Sequence, residues 1–124
     1  MQNTKKHIIF FTILVVGALS LGFIAYSELN IAAKPWSVVQ FSTGQVYIGK
    51  ISNFPDFRLY DAYSVDLIEN LENPDESSFK LIPVTETIWS PKFLELNSSE
   101  VIFHGELTKE SSAYQALQEA ENEK

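Results

Sequence analysis

The chain has 124 residues, no cysteine and a net charge of −7, and that charge is unevenly placed: Lys5 and Lys6 stand alone before a first carboxylate at Glu28. Without cysteine there is no disulfide framework, thiol nucleophile, lipobox anchor or Cys-zinc module. After residue 27 the chain carries 7 Lys/Arg against 16 Asp/Glu, a balance that repels phosphate backbones and argues against nucleic acid as a partner.

Residues 8–26 form an uncharged apolar run of 19 residues, about 28 Å long as a helix and so matched to a bilayer core. Segment 8–27 is therefore expected to be a transmembrane helix. A cleavable signal usually has an apolar region of only about 7–15 residues. A retained anchor is thus the expectation, with cleavage after Ala25-Tyr26-Ser27 as its alternative. Lys5 and Lys6 on the near flank place residues 1–7 in the cytoplasm by the positive-inside rule. The expected address is a bacterial inner (cell) membrane, single-pass, with the C-terminal domain extracytoplasmic. Ala18 and Gly22 form a small-xxx-small pair that could bring helices together, but ordinary lipid-facing residues are the simpler reading.

Residues 28–35 are short, mixed in character and ended by Pro35, and read as a linker that keeps the following domain near the membrane. From Trp36 the pattern changes to brief β-branched and aromatic runs divided by turn formers, the mark of a small β domain over 36–107. Runs 36–41 and 45–52 flank Ser42-Thr43-Gly44 and predict a β-hairpin with Gly44 at positive φ. Gly49 inside the second run predicts a bulge or sharp bend. A third strand is expected over 57–68, then a polar loop over 70–78. A strand is expected over 79–87, where Pro83 requires an edge position or a bulge, and a turn at Ser90-Pro91. Short strands over 93–96 and 101–103 complete the sheet. Beyond Thr108 the period becomes helical, with Tyr114 and Leu117 on one face, joined by Ala113 and Ala120. Thr108 or Ser111 is the cap, and the charged final residues are expected to fray.

The segment Phe41-Ser42-Thr43-Gly44-Gln45-Val46-Tyr47-Ile48-Gly49-Lys50-Ile51 resembles the first hairpin of Sm-like and SH3-like small barrels, in which an apolar residue, a Gly-containing turn and a second Gly recur. The wider arrangement resembles a group of single-span membrane-anchored proteins of candidate-phyla (Patescibacteria-type) bacteria. Those share an aromatic strand, here 36–41, a Gly-Gln-Val-Tyr-aliphatic-Gly-Lys hairpin, here within 43–50, and a Val-aliphatic-Phe strand before a short helix, here 101–107. What these resemblances imply is topology: a mainly β protein with an N-terminal transmembrane helix, a small antiparallel β-barrel or curled sheet of five or six strands, and a C-terminal helix within 108–124. The group carries no function to transfer.

No catalytic, nucleotide or cofactor signature interrupts this pattern, so no cofactor is expected. His104 is the sole histidine after residue 7. His104-Gly105-Glu106 invites a general-base reading, but a structural histidine at a strand end is the plainer one. Asp61 with Asp66, or Asp75 with Glu76, could offer oxygens to calcium but lack the spacing and Gly of an EF-hand loop.

The surplus is aromatic. Phe54, Phe57, Tyr60 and Tyr63 fall in one segment whose alternation prevents all four from facing inward, and exposed aromatics anchor protein interfaces. They are the candidate partner-binding residues. The expectation is a non-catalytic interaction or assembly module of the cell envelope, with a protein partner or a second copy. The alternatives are an Sm-like or oligonucleotide-binding barrel, or a small hydrolase using His104.

Overall fold

The computed structural model describes residues 2–73, 75 and 78–124. The chain divides into two compact units, residues 1–30 and 31–124. The first is a helix, α1 (Gln2–Leu29). Its stretch Asn3–Tyr26 is long and apolar enough to cross a membrane, and none of it is buried within the protein. The helix runs through the first two positions of the expected linker, because no Gly or Pro stands there to stop it. Ile31–Ala33 then makes a turn of 3-10 helix, so much of 28–35 is ordered backbone.

The second unit is a six-stranded antiparallel sheet followed by a helix. Its strands are β1 (Trp36–Phe41), β2 (Val46–Ser52), β3 (Arg58–Ile68), β4 (Ser78–Pro83), β5 (Phe93–Glu95) and β6 (Val101–Glu106). The strand order is β4-β3-β2-β1-β6, and β5 also pairs with β3. The eleven-residue β3 serves two partners on one side: Arg58–Tyr60 pairs with β5 and Tyr63–Ile68 with β4. Of the two forms expected, barrel or curled sheet, this one is open, since no ladder among the described residues joins β6 to β5 or β4.

Alternation along the strands creates two apolar faces. Val39, Leu59, Ala62 and Leu96 form one core cluster, and Ile48, Tyr63 and Leu117 the other. Neighbours Val38 and Val39 pack into different clusters, as successive strand residues must. Leu94 from β5 and Val101 from β6 lie at opposite edges yet pack on the same cluster, so the sheet curls around it. The five residues joining β5 to β6 include a 3-10 turn, Ser98–Glu100, whose Asn97 side chain accepts from the Ser99 amide. The Glu100 carbonyl accepts from the Ser42 amide at 2.8 Å, fastening this link to the first hairpin.

The second face is covered by α2 (Ser112–Asn122). Ser111, one of the two expected caps, accepts from the Tyr114 amide. Leu117 is fully buried, with Ala113 and Ala120 packed beside it. The tail differs from its expected fraying: Lys124 Nζ donates to Tyr63 Oη at 3.1 Å, and Tyr63 Oη donates to Glu121 Oε1 at 3.3 Å. A sequence-based reading cannot see that Tyr63 brings its hydroxyl to the end of the helix.

Both glycine expectations hold. Gly44 has φ +87, and the β2–β3 register shifts between Ile48 and Lys50, around Gly49. A Cβ at Gly49 would lie 2.7 Å from Leu59 Cγ and from the Tyr60 carbonyl oxygen, so only glycine fits without a shift. The strand expected over 79–87 stops at Pro83, the last residue of edge strand β4, where a missing N–H costs no ladder bond, and Val84–Glu86 turns as 3-10 helix instead.

Candidate functional site

The four aromatic residues singled out by sequence do not form one surface. Tyr63 is only 2 % exposed and belongs to the core, which removes it from any partner-binding set. The cause is that both faces are covered: Ala62 packs into the first cluster and its neighbour Tyr63 into the second, which Leu117 of α2 closes. Phe57 is half-buried against the first cluster, its ring 5.7 Å from His104. Tyr60 is half-buried too, 5.3 Å from Phe93 across the β3–β5 ladder.

The Arg58 guanidinium lies 4.4 Å from the same Phe93 ring and bonds Asp56 Oδ2 at 2.9 Å. Its hydrogen bond with the Tyr60 side chain raises its pKa above the usual arginine value, against the opposing effect of desolvation. Tyr60 is thus engaged from two sides. Phe54 alone stays broadly open, 51 % exposed, at a cis Phe54–Pro55 bond.

His104 is exposed on edge strand β6, paired with Val39 of β1 and beside the Phe57 ring. Among the described residues no group of three or more His, Cys, Asp or Glu is placed to hold a metal. Glu76, half of one suggested calcium pair, lies outside the described residues.

Two features go beyond the sequence reading. The first is what the turn expected at Ser90-Pro91 exposes. The Ser90 amide donates to the Thr87 carbonyl at 3.0 Å, and Thr87 Oγ1 donates back to the Val84 carbonyl at 2.6 Å. These bonds leave Ile88 and Trp89 as the central residues of a closed turn, 90 % and 82 % exposed. Both lie in ordered backbone, so their exposure is built into the turn. The signal available beforehand was Ser90-Pro91, a turn pair directly after two large apolar residues.

The second is a cleft of about 540 Å³ between the start of β1 and the β6–α2 connection. The Trp36 carbonyl accepts from the Leu107 amide at 2.8 Å and joins its two sides. Ser111 closes the connecting turn, its amide and hydroxyl both donating to the Thr108 carbonyl. Trp36 and Tyr114 supply aromatic walls, and Lys34, Lys50 and Lys109 also line it. The Lys50 side chain is only 14 % exposed; its Nζ lies 4.8 Å from the Trp36 ring and 3.4 Å from Asp61 Oδ2. In sequence these lysines are scattered; the pairing of β1 with β2 and β6 brings them together.

No family model matches the chain and no curated protein is similar to it, so its function has to be argued from its own residues.

Proposed function

We propose that this protein is a membrane-anchored, extracytoplasmic, non-catalytic interaction or assembly module, held by α1 and presenting its β domain to a protein partner or a second copy. The observation that carries the reading is the Ile88–Trp89 turn. Two large apolar side chains held in water at the apex of a hydrogen-bonded turn add nothing to the domain's own core, and tryptophan is enriched where partners bind. Phe54, and Ile102 with Phe103 on edge strand β6, add exposed apolar surface elsewhere on the domain. The span supports the anchor: its length and composition suit a bilayer, and Lys5 and Lys6 favour a cytoplasmic N-terminus.

The test places a photo-reactive amino acid at position 89 of the full-length protein, irradiates intact cells and identifies adducts by mass spectrometry. A discrete adduct with one protein, or with a second copy of the chain, is expected. An absence of adducts at position 89, when the same probe at half-buried Phe93 crosslinks within the chain, would contradict it.

A further inference from the structure

The cleft departs from the acidic balance of the domain around it. Beyond Leu29 the chain has 7 Lys/Arg and 15 Asp/Glu. Three of those seven cations line this one opening, with only Glu106 and Glu110 as lining carboxylates. Cations are thus denser in this lining than on the acidic domain as a whole.

Lys50 sharpens the point. Its ammonium lies over the Trp36 ring, on a side chain largely withdrawn from water, beside the exposed carboxylate of Asp61. An ammonium so placed gains from a second anion entering the cleft.

We infer that this cleft binds the phosphate group of an organic phosphoester, with Lys34, Lys50 and Lys109 receiving the anion and Trp36 and Tyr114 packing the organic remainder. Lysine is a point-charge donor suited to the tetrahedral oxygens of phosphate. The volume exceeds what a bare ion needs and leaves room for a small body against the aromatic walls. Glu106 and Glu110 in the lining accept hydrogen bonds from hydroxyl groups, which suits a phosphorylated polyol. They also repel a continuous polyanion, which disfavours a nucleic acid strand. Two sources share this chemistry: a soluble sugar or glycerol phosphate, and a phospholipid headgroup. The second is within reason because Lys34 follows the end of α1 by only five residues.

The test uses full-length protein carrying 5-fluorotryptophan in nanodiscs. The chain has two tryptophans, so fluorine NMR gives one signal for Trp36 in the cleft and one for Trp89 outside it. In phosphatidylcholine discs, titration with glycerol 3-phosphate is expected to move the Trp36 signal saturably if the source is soluble. If the source is a lipid, the shift appears instead on including phosphatidylglycerol.

In either arm Lys34→Gln and Lys109→Gln should each weaken the response at least about fivefold, as loss of a charged hydrogen bond does. Lys80→Gln, a control outside the cleft, should leave it unchanged. No movement of the Trp36 signal in either arm overturns the inference. So does a response that survives Lys34→Gln and Lys109→Gln together.

Discussion

At the residue scale the tightest constraint is at Gly49. A methyl group there would meet Leu59 Cγ and backbone oxygen at 2.7 Å, and backbone cannot rotate away as a side-chain end can. Gly49→Ala should therefore destabilise the domain by about 1–3 kcal/mol, the range of overpacked cores, read as a lower thermal midpoint of the full-length protein in detergent. Gly44→Ala, with open space around it, should cost less and act only through its positive φ. Lys124 gives a pH prediction of definite sign. Its hydrogen bond with Tyr63, aided by Glu121 and opposed by desolvation, raises it above the usual 10.5. A raised lysine adds stability that is fully present below 10.5 and is lost as pH climbs through the folded value. The melting difference between wild type and Lys124→Met should thus be constant near neutrality and shrink above pH 10.5. Gly49 was legible in the sequence because glycine inside a strand pattern announces a close approach. Tyr63 was not: its burial follows from the cover that α2 lays over the second face, and a strand pattern does not report where a later helix docks.

At the scale of elements, α2 is held to the sheet chiefly through Leu117, fully buried beside Ile48 and Tyr63. Eleven residues form a marginal helix in water on their own. Leu117→Ala should cost about 2–5 kcal/mol and speed hydrogen exchange throughout α2 before it affects β1–β3. The strands and this helix could be read from sequence because period-2 and period-3.6 patterns report which face is buried, and turn formers mark where each element stops. Their partners could not. That β3 is long enough to pair with both β4 and β5 on one side is decided by register, and short strands of similar composition admit several orders. The same limit hid the cleft, since Lys34, Lys50 and Lys109 meet only once β1, β2 and β6 are aligned.

At the scale of the whole molecule, the proposal of an anchored domain outside the cytoplasm rests on an apolar helix preceded by lysines and followed by an acidic unit. The absence of cysteine in the chain makes this directly measurable, because one introduced thiol reports on one position. Asn3→Cys lies before the span, and Ser98→Cys lies in the exposed link between β5 and β6. Single-cysteine variants of the full-length protein, treated in spheroplasts with a membrane-impermeant maleimide, should label at position 98 without lysis and at position 3 only after it. Labelling at position 3 in intact spheroplasts, or protection of position 98 until lysis, would contradict the account.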